Sequence, residues 1–193
     1  MTPEILSKTP LILAIAGSNG AGKTTFYSTF LASRGLPFIN ADVMALAHHL
    51  DAYDAAELAQ KLRARMVDLR RSFVFETVLS DPDGEKVAFL RSAADSGYTV
   101  VLCFIALESV EISSERVAMR VLQNGHDVPG EKLHARFPRT LENLKRAVVA
   151  LPNVFIYDNS DLSSPYKLVA TSRNGRVDLA ENCPAWLKST LTW

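Results

Sequence analysis

Residues Gly17, Ser18, Asn19, Gly20, Ala21, Gly22, Lys23 and Thr24 match G-x-x-x-x-G-K-[ST] at every fixed position, with a second threonine, Thr25, directly behind. Such a run can hold a polyphosphate. Its glycines let the main chain curl with N–H groups turned inward, where a side chain would block the approach or force an unfavourable positive φ. The lysine neutralises the β and γ phosphates, the threonine hydroxyl ligates Mg2+, and a following helix adds partial positive charge at its N-terminus. Gly17 through Thr25 is therefore the predicted nucleotide site, with Lys23 also acting in catalysis and Thr24 on the metal. ATP and Mg2+ are the expected cofactors, and the preference for ATP over GTP stays open.

A phosphate loop specifies nucleotide binding but not the fate of the γ phosphate. The chain has no LSGGQ signature, no apolar strand ending in Asp-Glu and no Asn-Lys-x-Asp base-reading motif. That leaves a small-molecule kinase, whose acceptor lies across the strand ends from ATP. Asp42, in Asn40-Ala41-Asp42, is the candidate general base for the acceptor hydroxyl; as an Asp ahead of a helical stretch it also suits an N-cap, and both roles can hold. Glu76 and Thr77 follow the apolar Phe73-Val74-Phe75, where a carboxylate serves a magnesium-bound water or a sugar hydroxyl, or else sits in a solvated loop. Arg116 and Arg120 share a helix face by their spacing of four, and Arg136 and Arg139 flank Phe137-Pro138. Arginines on such a segment suit a lid over the transferring phosphoryl group, although each alone also reads as a solvated surface residue. Asp158-Asn159-Ser160 is placed to edge an adenine pocket. The histidines give no metal site: His48 and His49 are adjacent and diverge on a helix, and His126 and His134 are separated by a turn.

The elements that must position these groups follow from periodicity. Leu11 to Ala16 is an unbroken apolar run, the pattern of a central strand covered on both faces. A helix over Lys23 to Ala32, stopped by Gly35 and Pro37, and a short strand over Pro37 to Asn40 come next. The stretch from Asp42 to about Arg71 is helical with a break near Asp51, and Phe73 to Phe75 is the third strand. A turn at Asp81 to Gly84, a helix over Glu85 to Asp95 and a strand over Thr99 to Leu107 follow. Ser114 to Gln123 is a helix closed by Asn124-Gly125, and a helical pair broken at Pro138 leads to a strand over Asn153 to Tyr157. Lys167 to Thr171 and Arg176 to Leu179 form a hairpin about Asn174-Gly175. Alternating strands and helices predict a three-layer α/β/α P-loop NTPase fold with a mainly parallel five-stranded sheet, a helical lid and a C-terminal β-hairpin. Ligands then bind at the carboxyl ends of the strands.

The length of 193 residues suits one domain, with a core over about 10–160 and a hairpin extension over 161–193. The 21 Lys and Arg offset the 21 Asp and Glu, so no overall field draws the protein to nucleic acid or to an anionic bilayer. Leu11 to Ala16 and Thr99 to Leu107 fall well short of the roughly 20 residues a membrane span needs. The first run loosely imitates a signal peptide, but the phosphate loop explains its glycines better. Cys103 and Cys183 form no CxxC pair, which suits a reducing cytoplasm.

The segments IAGSNGAGKTTF, FINAD, FVFETVLS and RVAMRVLQNGHDVPGEKLHARFPRTLENL, spread over about Leu11 to Asn159, resemble the zeta-toxin-like branch of P-loop kinases. Zeta toxins use ATP to phosphorylate a hydroxyl of UDP-N-acetylglucosamine. The resemblance implies that Lys23 and Thr24 hold ATP and magnesium, Asp42 is the base, Glu76 contacts the acceptor, and an arginine such as Arg120 meets the phosphates. It leaves an antitoxin partner unknown. The chain carries adjacent Glu76-Thr77 where the toxins carry Glu-x-Thr. The expected activity is thus Mg2+-dependent phosphoryl transfer to a small hydroxylated acceptor, a nucleotide sugar being one candidate. The alternatives are a nucleotide-binding switch acting through a partner, and phosphorylation of an RNA end or a protein side chain, which the neutral charge disfavours.

Overall fold

The first apolar run forms β1 (Leu11–Ala16), and all six of its residues are buried. Leu11, Leu13 and Ile15 enter one core with Val74, Val101 and Ile105, while Ile12, Ala14 and Ala16 enter a second with Phe73, Phe75 and Leu102. A strand with a core on each side has no face for polar residues, which is why its sequence does not alternate. The computed structural model describes residues 3–122 and 128–191. The predicted Asn124-Gly125 helix stop and His126 lie outside the described residues.

The other strands are β2 (Phe38–Ile39), β3 (Phe73–Thr77), β4 (Thr99–Ala106), β5 (Asn153–Asp158), β6 (Lys167–Arg173) and β7 (Arg176–Leu179). They form one sheet in the order β2-β3-β1-β4-β5-β6-β7. The first five are parallel, as expected, and β6 and β7 are antiparallel. The sheet therefore has seven strands rather than five. The hairpin is part of it because β6 pairs with the open edge of β5, satisfying backbone groups that an edge leaves bare and burying Val169 and Ala170 in the core. Asn174 and Gly175 both have positive φ, 51° and 82°, as a tight two-residue hairpin turn requires.

Helices cover both faces: α1 (Pro3–Leu6), α2 (Lys23–Phe26), α3 (Ala41–His48), α4 (Ala52–Asp68), α5 (Glu85–Asp95), α6 (Val110–Leu122), α7 (Gly130–Ala150) and α8 (Ala185–Leu191). Neither α1 nor α8 is anticipated by the sequence reading. Beyond Phe26 the chain stays helical but changes winding, through a π turn at Tyr27–Leu31 and a 3-10 turn at Ala32–Arg34, until Gly35 ends it. The break between α3 and α4 falls where expected, with the Asp51 carboxylate accepting from the N–H groups of Tyr53 and Asp54.

The predicted break at Pro138 does not occur, and α7 runs through it. Proline removes one N–H and crowds the preceding turn, a cost of about 3 kcal/mol in a helix interior. Two side chains serve carbonyls of that turn: Arg139 Nε donates to Ala135 O and Thr140 Oγ1 to Arg136 O. Leu144, Ala147 and Val148 on the same helix are fully buried against the sheet. Packing of that face outweighs the local penalty. Among the described residues no helix is long and apolar enough to cross a membrane.

Candidate active site

β1 runs directly into the phosphate loop, and the loop's shape depends on its three glycines. Gly17, Gly20 and Gly22 all have positive φ. A Cβ on Gly22 would stand 2.8 Å from both Asn159 Nδ2 and Tyr166 Oη, so the side chains that would clash are the ones holding the loop. Asn159 Nδ2 donates to Ala21 O at 2.8 Å and Tyr166 Oη donates to Gly22 O at 2.9 Å. Ser113 Oγ donates to Asn19 O at 2.7 Å, and Lys23 Nζ to Ser18 O at 2.9 Å. Four loop carbonyls are thereby fixed from the end of β5, the approach to β6, α6 and the loop's own lysine.

Tyr166 lies immediately before β6, so the approach to the C-terminal hairpin delivers a residue to the phosphate loop. Asn159, in the segment expected to edge an adenine pocket, braces the loop through Ala21 O. Tyr166→Phe keeps the ring contacts with Phe26 and Phe30 but removes the donor to Gly22 O. A hydrogen bond contributes about 0.5–1.5 kcal/mol net, so ATP binding is expected to weaken by about three- to tenfold. Calorimetric titration of the variant with Mg-ATP reads this directly; unchanged affinity would leave Tyr166 a packing residue.

Glu76, near the carboxyl end of β3, is the hub of the polar groups facing the loop. Its Oε2 accepts from Thr24 Oγ1 at 2.8 Å and from Asn40 Nδ2 at 2.8 Å, and its Oε1 is 3.8 Å from Lys23 Nζ. Burial pushes the Lys23 ammonium below the ordinary lysine range, and the charges of Glu76 and then Asp42 oppose that shift. Asn40 has a second role: its Oδ1 accepts from Asp42 N at 2.8 Å and Val43 N at 3.2 Å, which makes it the N-cap of α3. The cap role left open for Asp42 is therefore filled by Asn40. Asp42 stands one position into the helix with its carboxylate exposed to the site.

A cavity of about 620 Å3 opens from the loop, lined by Asn19, Gly20, Lys23 and Thr24 on one side and by Asp42, Glu76 and Thr77 on another. The Thr77 hydroxyl accepts from Leu79 N at 3.1 Å, folding the chain after β3. The four candidate lid arginines divide. Arg120 and Arg136 line the cavity. Arg116 donates to Ser160 O at 2.9 Å, beyond β5. Arg139 Nε is bonded at 2.8 Å to the carbonyl of Ala135 in its own helix. Thr25 hydrogen-bonds Tyr166. Three further cations, Arg63, Lys86 and Lys132, line the cavity and were not singled out in the sequence; Lys86 pairs with Asp81 at 3.1 Å. Nothing in their local sequence marks them, whereas Asn40 was findable, since Asn caps helices as well as Asp does. Among the described residues no group of His, Cys, Asp and Glu could alone hold a metal, and both cysteines are free and buried.

The family model for zeta toxins matches residues 3–168, through β5 and the Tyr166 brace. The chain belongs to the zeta toxin family. Among solved structures, this zeta toxin family member is similar to a chain of the AvrRxo1-ORF1:-ORF2 complex with ATP, at a TM-score of 0.74 and 19% identity, covering 97% of this chain and 65% of that one. The same complex with sulphate ions gives the same values, 0.74, 19%, 97% and 65%. A structure of the PezAT chromosomal toxin–antitoxin system of Streptococcus pneumoniae aligns at a TM-score of 0.61 and 15% identity, covering 95% of this chain and 85% of that one. At these identities the likeness is one of fold. The chain spans 65% of the length of the AvrRxo1 chains it matches. No curated protein matches it by sequence.

Proposed function

We propose that this zeta toxin family member is an ATP-dependent phosphotransferase acting on a hydroxyl of a small acceptor. The observation that carries the reading is a single cavity bounded by the phosphate loop with Lys23 and Thr24, by Asp42 and Glu76 at the strand ends, and by Arg120 and Arg136. ATP lies with its phosphates in the loop. The acceptor hydroxyl oxygen forms a bond to the γ phosphorus as the bond to the β–γ bridging oxygen breaks. The electron pair leaves on ADP, and the hydroxyl proton passes to the Asp42 carboxylate. Lys23, Arg120 and Arg136 offset the negative charge that the reaction spreads over the phosphoryl oxygens.

Thr24 Oγ1 and Glu76 are hard oxygen donors 2.8 Å apart beside the phosphate cradle, a set that fits Mg2+ completed by phosphate oxygens and water. When bound, the ion supplies charge neutralisation of the phosphates. Glu76, held by Asn40 and facing Lys23, also stands where it can orient an acceptor hydroxyl. UDP-N-acetylglucosamine, the acceptor of the zeta toxins, is the first compound to try. A protein partner belongs to the same reading, since PezAT is a toxin–antitoxin system.

The test is ADP release from Mg-ATP across nucleotide sugars, sugars and nucleosides. The correct acceptor is expected to raise it at least about tenfold over slow hydrolysis. Identical release with and without every compound would favour a nucleotide-binding switch.

A further inference from the structure

We infer that Asn143, which does not itself line the cavity, is the positioning residue for the cavity wall formed by Val78, Leu79 and Ser80, clamping that wall onto the helix that carries Arg136. The inference rests on the phosphotransferase reading and adds a residue to the same site. The wall belongs to the turn after β3, residues 78–84, and lies past Glu76 from the phosphate loop, on the acceptor's side. Leu79 is fully buried and has φ 60°. A residue with a Cβ adopts that left-handed conformation at a cost in free energy, so it persists only where the surroundings impose it. Thr77 Oγ1 accepts from Leu79 N on one side. Asn143 acts on the other: its Nδ2 donates one proton to Leu79 O at 2.9 Å and the other to Asp81 O at 2.7 Å, while its Oδ1 accepts from Arg146 Nη1 at 3.3 Å.

Neighbours of Asn143 on α7 extend the clamp. Thr140 Oγ1 lies 3.1 Å from Val78 O and 3.0 Å from Arg136 O, so its single proton is shared between the wall and the backbone of a cavity cation. Arg146 Nη1 donates to Pro82 O at 3.1 Å. Gly84, where the turn ends, comes so close that a Cβ there would stand 2.9 Å from the same nitrogen. The carbonyls of Val78, Leu79, Asp81 and Pro82 are thus all committed to α7. Lys132 and Arg136, which line the cavity, are followed by Thr140 and Asn143 at spacings that keep all of them on one helix face. That face carries two cations to the cavity and, further along, grips its wall. Thr140 and Asn143 are each 1% exposed, so an apolar replacement of the same shape leaves the wall's carbonyls without partners, which is costly. Glu76 is anchored separately, by Thr24, Asn40 and Lys23. Loss of Asn143 therefore releases the wall from Val78 onward and leaves the phosphate loop, Glu76 and Asp42 in place. Acceptor binding weakens, while ATP binding and the chemical step hold.

The experiment compares Asn143→Leu, which keeps the shape and removes every bond, Asn143→Ser, which retains one donor, and Thr140→Val, which removes only the shared hydroxyl. Val148→Ala is the control, a fully buried residue of the same helix whose carbonyl accepts from Ser172 Oγ of β6. ADP release from Mg-ATP is followed with UDP-N-acetylglucosamine and with any other nucleotide sugar, sugar or nucleoside that stimulates it. Asn143→Ser is expected to raise the acceptor KM at least about tenfold, with kcat changed less than about threefold and Mg-ATP affinity held within about twofold. Asn143→Leu should raise KM further and Thr140→Val less, so that the other two variants decide if Asn143→Leu does not fold. Val148→Ala should lower Tm without moving KM. An unchanged KM in Asn143→Ser, or an equal rise in Val148→Ala, overturns the proposal. Amide exchange of the Mg-ADP complex gives a readout that needs no acceptor: residues 78–84 of Asn143→Ser should exchange at least about tenfold faster than in wild type while residues 17–24 do not change. If no compound stimulates ADP release while Mg-ATP still binds, the phosphotransferase reading fails separately and exchange alone decides. Faster exchange confined to the turn supports Asn143 as its clamp, and exchange that is unchanged, or raised throughout the protein, overturns it.

Discussion

Asp42→Asn is expected to lower turnover with the true acceptor by 10²- to 10⁴-fold, or about 3–5 kcal/mol of barrier, while Mg-ATP binding persists. The amide has the shape of the carboxylate but cannot take the hydroxyl proton. Because the α3 cap belongs to Asn40, whose Oδ1 holds Asp42 N and Val43 N, the substitution leaves the helix start intact. Stability is therefore expected to stay within about 0.5 kcal/mol of wild type. Asp42→Ala sharpens the separation, since removal of a real cap costs about 0.5–2 kcal/mol and this variant should fall below that range. Steady-state kinetics, calorimetry with Mg-ATP and thermal melts on the two variants distinguish the outcomes. Turnover near wild type in Asp42→Asn would remove Asp42 as the base. A loss of ATP affinity parallel to the loss of rate would recast it as a nucleotide contact.

The parts of this site that could be read from the sequence are those written in contiguous residues. Gly17 to Thr24 is a fixed pattern between a strand and a helix, and both the strand and the helix form where the pattern places them. Strands covered on both faces are equally legible, because β1 and β4 have no room for polar residues on either side. What was not legible depends on partners distant in the chain. Tyr166 braces Gly22 O across 144 residues, and Asn143 Nδ2 donates to Leu79 O across 64, yet neither residue belongs to a local motif. Arg63 reads as one more charge on a polar helix until Phe75 and the cavity are brought against it. Pro138 misled for the opposite reason: its local rule is sound, but the burial of α7 against the sheet is larger than the penalty. Both strands of the C-terminal hairpin were legible from their turn, but that they extend the sheet depends on the open edge of β5, which local patterning does not count.

Gly17→Ala is expected to be the most damaging single substitution in the chain. The residue has φ 145°, and an added Cβ would lie 2.0 Å from Ile105 O and 3.1 Å from its carbonyl carbon. That contact is far inside van der Waals distance. The carbonyl cannot retreat, since Ile105 lies in β4, which is paired with β1 on one side and β5 on the other, and is itself fully buried. Relief requires either the loop to leave its shape or two strands to part. The unfavourable φ and the overpacking together are expected to cost at least about 3–4 kcal/mol. At about 2–4 °C per kcal/mol for a domain of this size, the melting temperature should fall by about 10 °C or the chain should not fold, and whatever folds should not bind Mg-ATP. Gly35→Ala is the control. That glycine also has positive φ, 64°, but a Cβ there meets nothing within 4 Å, so only the backbone term of about 1 kcal/mol applies and ATP affinity should hold. If the two variants melted together, the close approach of Gly17 to β4 would not be what shapes the loop, and the nucleotide site would owe its form to the braces at Asn159 and Tyr166 alone.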